Sequence, residues 1–124
     1  MKIFVFGNPL VDQDSLPLKI IKPLAERFPD VEFVELDPSE NIEDIGRDPV
    51  ILDTALGIKN VVVLDDIDKI QESPKFSLHD FDLGTNLKLL RKLGRLDSVR
   101  IICVPAGLTE ENVVKQVSEE IRKL

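Results

Sequence analysis

Residues 49–64 read PVILDTALGIKNVVVL, two aliphatic runs with little more than TALGIKN (54–60) to link them. PVILD (49–53) and NVVVL (60–64) are rich in β-branched residues and bounded by Pro, Asp and Asn, which reads as two strands. A parallel crossover between strands takes a dozen or more residues. The fourth strand of the chain is therefore an antiparallel neighbour of the third or a strand at the edge of the sheet.

Three more runs of the same kind lie outward from this stretch: KIFVF (2–6), VEFVEL (31–36) and VRIICV (99–104). Helical spacing fills the intervals. SLPLKIIKPLAERF (15–28) repeats Leu18, Ile21, Leu24, Ala25 and Phe28, with Ser15 as N-cap and a kink or late start expected at Pro23, which lacks a backbone donor. PSENIEDIG (38–46) offers Ser39 as a cap, acids in the first turn and Gly46 as a stop. DLGTNLKLLRKLG (82–94) places Leu83, Leu87 and Leu90 on one face and closes on Gly94. TEENVVKQVSEEIRKL (109–124) is a capped amphipathic helix with Val113, Val117, Ile121 and Leu124 inward. Strands alternating with helices imply an α/β fold: one open, mostly parallel five-stranded sheet with one antiparallel strand and helices on both faces.

The 124 residues make one domain, 1–124, and 43% hydrophobic with 31% charged residues suits a folded core under a charged surface. A formal charge of -7 repels phosphate backbones and anionic lipid. The basic cluster Lys88, Arg91, Lys92 and Arg95 falls at the end of a helix, where it answers the macrodipole, so no nucleic-acid partner is expected. Cys103 is the single cysteine, which excludes an internal disulfide and a cysteine-based zinc site and fits a reducing cytoplasm. Within RIICVP (100–105) it reads as a core thiol. The opening MKIFVFGN has neither the length of a membrane span nor a cleavage site behind it, so no membrane insertion is expected.

In open parallel sheets, functional groups gather beyond the carboxyl ends of the strands. There the chain carries acids: Asp12 and Asp14 in GNPLVDQD (7–14), Asp37 after the second strand, and Asp53 after the apolar VIL of the third. A carboxylate leaving an apolar strand needs a positive or hydrogen-bonding partner. His79, the sole histidine, lies in KFSLHDFDLGTN (75–86), between the fourth strand and the next helix. One imidazole with two carboxylates is a plausible nitrogen-and-oxygen set for zinc or nickel. Taken singly, His79 reads as a cap or surface hydrogen bond, and Asp12 and Asp14 as turn formers or N-caps.

The order of these pieces changes the balance. FGNPLVDQDSLP (6–17) resembles the opening motif of the hydrogenase maturation proteases, which trim the C-terminus of the nickel-iron hydrogenase large subunit; PVILDTALG (49–57) resembles their second motif, and SLHDFDLGTNLKLL (77–90) their third. VRIICVPAGLTEENV (99–113) is similar to the family's last strand and final helix. The resemblance implies a phosphorylase/hydrolase-like three-layer sandwich, metal ligands at Asp14, Asp53 and His79, and catalytic roles for Asp14 and Asp53. It also implies auxiliary roles for Asn8, Asp12 and Asp37. Nickel would be borne by the substrate, a nickel-iron hydrogenase large-subunit precursor, with zinc or cadmium able to stand in.

Three other readings compete with this one. Asp65, ending VVVLDDID (61–68), could replace Asp53 as second ligand, but that would leave Asp53 unexplained and shorten the spacing to His79. A phosphoacceptor receiver domain would need an acidic pair directly after the first strand and a lysine after the fifth, where this chain has Gly7-Asn8-Pro9 and CVPAG (103–107). A non-proteolytic metal- or partner-binding domain of the same fold is the alternative function. Pro17 and DPSEN (37–41), standing where the family carries glycines, and the short chain point to it.

Overall fold

The computed structural model describes residues 1–6, 12–36, 45–66, 77–78 and 81–124, with the backbone alone at 12–15, 77–78 and 81–82. The elements run β1 (Lys2–Phe6), α1 (Asp12–Lys19), α2 (Ile21–Arg27), β2 (Glu32–Leu36), β3 (Val50–Leu56), β4 (Val62–Leu64), β5 (Ser77–Leu78), α3 (Phe81–Lys92), β6 (Arg100–Pro105) and α4 (Glu110–Arg122).

The main sheet has the order β2-β1-β3-β6-β4. β2, β1, β3 and β6 are mutually parallel, and β4 runs antiparallel to β6 at the edge. This is the expected open sheet with four parallel strands and one antiparallel. The short link after β3 acts as the sequence requires, carrying the chain past β6 to an edge position. A further two-residue strand, β5, adds antiparallel to β3.

Alternation along the strands sorts side chains into two layers of core. On one face Phe6, Ile51, Ala55, Ile101 and Cys103 meet Leu83, Leu87 and Leu90 of α3. On the other, Ile3, Val5, Leu52, Ile102 and Val104 meet Leu16, Ile20 and Leu24 from the α1–α2 pair and Val113, Val114, Val117 and Ile121 of α4. The result is three layers, helix–sheet–helix.

Several local expectations shift. The first helix is broken at Ile20 rather than at Pro23 itself, so Pro23 lies in the first turn of α2, where its missing N–H costs no intrahelical bond; Pro17 lies inside α1. α1 begins before Ser15, which therefore lies inside the helix and does not cap it. The buried stripe is Leu16, Ile20 and Leu24, and Ala25 faces solvent. Leu124 lies beyond α4 and is 40% exposed. Most of the short helix expected over 38–46 falls outside the described residues; Gly46 at its end has φ +85°, a conformation glycine adopts without the steric cost of a Cβ.

Two termini follow the sequence closely. The Thr109 hydroxyl accepts a hydrogen bond from the Asn112 amide at 3.3 Å and caps α4. α3 ends at Gly94, φ +73°, with the Arg95 amide bonded back to the Leu90 carbonyl. At the amino edge of the sheet the Arg47 guanidinium grips both oxygens of Asp97, at 2.8 and 2.9 Å, and the Gly94 carbonyl at 2.9 Å. The Ser98 hydroxyl donates to Asp48 at 2.8 Å. These bonds tie the entry of β3 to the entry of β6. The hydrogen bonding from Arg47, with the Arg47 charge, holds the Asp97 carboxyl below its ordinary pKa.

Candidate active site

The strand order reverses at β1: the chain passes from β1 to β2 on one side, then crosses to β3 on the other. The carboxyl ends of β1 and β3 thus form the switch point at which open α/β sheets present their sites. Pairing along β3 shows how this crevice is built. β1 pairs with β3 through Ile3–Val50, Phe4–Ile51 and Val5–Leu52. β5 pairs with it at Ala55–Leu78 and Leu56–Ser77. β6 holds the opposite edge of β3 from Val50 to Ala55 without a break, so β5 sits on the edge that β1 leaves. Asp53 and Thr54 fall between the two ladders.

The expectation placed Asp53 at the end of its strand, but β3 runs three residues further, to Leu56. The aliphatic and β-branched character of TAL extends the strand, and β5 gives it a partner there. Asp53 and Thr54 are both 0% exposed. Alternation sends them to opposite faces, Asp53 with Ile51 and Ala55 toward α3, and Thr54 with Leu52 toward α1 and α4. Among the described residues the Thr54 hydroxyl has no hydrogen-bond partner.

Across the sheet Asp53 stands in register with Cys103. The thiol is pushed up to about 12, first by burial and then by the Asp53 charge, with a backbone hydrogen bond from Leu64 opposing. Its Sγ lies 3.7 Å from the Ile101 carbonyl. A thiol held protonated in this way is not a nucleophile at neutral pH, as the reading of a core cysteine requires.

Of the residues expected at the site, Asp53 alone has a described side chain. Asp12 and Asp14 lie in the first turn of α1, so their backbone is helical and the turn reading does not hold for them. Acids suit that position, near the positive end of the helix dipole. Asn8, Asp37 and His79 lie outside the described residues. Leu78, directly before His79 in sequence, is paired with Ala55, two residues beyond Asp53. β5 thus carries the chain to the edge on which Asp53 lies, and α3, which begins just after His79, covers the face toward which Asp53 points.

The sheet separates Asp53 from α1, so the acids of α1 and Asp53 can meet only over the carboxyl edge, where β1 has ended. Among the described residues no group of three or more His, Cys, Asp or Glu is arranged to hold a metal. The full set of Asp14, Asp53 and His79 supplies two hard oxygens and one borderline nitrogen, a donor chemistry that fits nickel or zinc. A groove of about 510 Å³ lined by Lys2, Phe4, Asp48 and Val50 lies at the opposite, amino edge and contains none of these residues.

Sequence reasoning missed β5 and the buried neighbour of Asp53. The only signal for β5 is the alternation FSLH (76–79), too short to distinguish from a loop. The approach of Asp53 and Cys103 depends on strand register, which leaves no mark on the two local sequences.

No family model and no curated protein matches the chain. Among solved structures, the chain is similar to an endopeptidase from Escherichia coli whose structure was determined in solution, with a TM-score of 0.61 and 20% sequence identity. The match covers 99% of this chain and 93% of that one, so the likeness is one of whole fold. No helix among the described residues is long and apolar enough to cross a membrane.

Proposed function

We propose that this protein is an endopeptidase that removes a C-terminal peptide from a nickel-loaded nickel-iron hydrogenase large-subunit precursor, nickel being the recognition element. The observation that carries the reading is the position of Asp53: a buried carboxylate at the switch point of the sheet, between the ladder that β1 leaves and the ladder that β5 takes up. The fold shared with the E. coli endopeptidase over nearly the whole chain supports it. So does the order of the three motifs that contain Asp14, Asp53 and His79.

In this reading Asp14, Asp53 and His79 supply part of the coordination of the nickel that the precursor brings, and so fix the scissile peptide against the carboxyl edge. The metal would contribute Lewis acidity toward a carbonyl or a water. Asp14 or Asp53 is the candidate general base, taking a proton from the attacking water and returning it to the departing amine. Asn8 orients the loop after β1, Asp12 is a spare carboxylate beside Asp14, and Asp37 plays an auxiliary part from the end of β2. A cytoplasmic location follows from the substrate and the single reduced cysteine.

Incubating the purified protein with a nickel-loaded precursor and weighing the product by mass spectrometry tests this. The expected result is a large subunit shortened at its C-terminus. Binding without shortening would favour the non-proteolytic alternative.

A further inference from the structure

We propose that β4 is the contact edge of a symmetric pair. Its outer edge pairs antiparallel with the same edge of a second copy of this chain, about a two-fold axis at Val62.

The path of the main sheet ends at β2 on one side and at β4 on the other, and among the described residues β4 has β6 as its one neighbouring strand. Sheets protect such edges from a foreign strand with charge, proline or brevity. β2 carries exposed Glu32 and Glu35 within its five residues. β4 has brevity alone, three residues in the uncharged run VVVL (61–64). Val62 stands opposite Cys103 and so lies on the α3 face, where it is 37% exposed. Val61 and Val63 pack toward the other face and are half-buried. A strand added outside β4 covers aliphatic surface on both faces at once. Gln116 of α4 fixes the start of the run: its Oε1 accepts from the Val61 amide at 2.7 Å and its Nε2 donates to Asn60 Oδ1 at 3.2 Å.

Charge selects the occupant. Exposed Lys59 precedes the run and exposed Asp65 follows it. An antiparallel copy reverses that order, so with Val62 facing Val62 each Lys59 comes beside the Asp65 of the other copy. Parallel pairing would set like charges together. Asp65, Asp66 and Asp97 line a hollow of about 120 Å³ with Arg91, and Arg47 grips Asp97. Three acids to two arginines leave the Asp65 end of the strand able to take a further cation. A ladder this short buries little surface, so the pair belongs to the weak class of contacts, with a dissociation constant on the order of 100 µM.

Sedimentation equilibrium of the purified chain at concentrations from about 10 µM to about 1 mM tests this. Wild type is expected to pass from monomer to dimer within that range. Val62→Lys puts a charge on the edge and should stay monomeric, with the circular dichroism of the folded chain. Lys59→Asp alone and Asp65→Lys alone should each weaken the dimer roughly tenfold, since the two-fold axis counts every like-charge contact twice. Mixing these two variants restores both opposite-charge contacts and should return the affinity to near that of wild type. Damage to the fold of either variant cannot produce such a rescue. A wild type that stays monomeric overturns the inference, and so does a dimer that Val62→Lys leaves unchanged or a mixture that associates no more tightly than its parts.

Discussion

Asp53 and Cys103 are register partners on adjacent parallel strands, both fully buried, and the carboxylate adds to burial in raising the thiol to about 12. The folded thiol therefore stays protonated well above the value near 8.5 of a free cysteine. A group whose folded pKa is raised contributes stability that is complete below its unfolded pKa and fades as pH climbs toward the folded value. Wild type should lose stability between about pH 9 and pH 12 more steeply than Cys103→Ala, although the variant is less stable at pH 7. The chain has no tyrosine to add to that window. Urea midpoints measured across the range check it, and parallel curves would contradict it. In Asp53→Asn the thiol should titrate lower, because one of the two causes of its shift is gone.

The two faces of α3 should separate in a stability measurement. Leu87 is 0% exposed and Leu89 is 52% exposed. Leu87→Ala should cost about 2–5 kcal/mol. Leu89→Ala should fall within roughly 0.5 kcal/mol of wild type. Urea unfolding of the two variants side by side decides it.

The cap on α4 gives a smaller and more local effect. Thr109→Ala removes the acceptor of the Asn112 amide and should cost about 1 kcal/mol, while Thr109→Ser or Thr109→Asp should hold near wild type. Equal losses in all three would mean that the hydroxyl bond is not what stabilises this terminus.

Much of the fold was legible because its signals are local. Five aliphatic runs bounded by Gly, Pro, Asp and Asn became the five strands of the main sheet, and the brevity of TALGIKN left β4 either antiparallel beside β3 or at an edge, of which the structure takes the second. Gly94 and Thr109 marked helix ends by backbone freedom and capping chemistry that act within one turn. What was not legible depends on partners distant in sequence. β3 extends past Asp53 because β5 arrives to pair with it, and the neighbour of Asp53 is Cys103 because of register between β3 and β6. At the site, the sequence marked Asp53 as a carboxylate leaving an apolar strand, and the structure adds its burial and its place between two ladders.

Asp53→Asn keeps the size of the side chain and removes its charge. The proposed endopeptidase should lose precursor processing entirely in this variant, with far-ultraviolet circular dichroism unchanged, because the hydrophobic side chains of the core on that face are all kept. Residual processing at more than about a hundredth of the wild-type rate would exclude Asp53 from the chemistry, since removing a general base costs 10²-fold or more.

The central claim is that Asp14, Asp53 and His79, from three separate segments, meet at the carboxyl edge to hold one cation. Calorimetric titration of nickel into wild type, Asp14→Asn, Asp53→Asn and His79→Ala tests it most directly. The account predicts one site per chain in wild type and its loss in each of the three variants. Uptake by His79→Ala equal to that of wild type would contradict it.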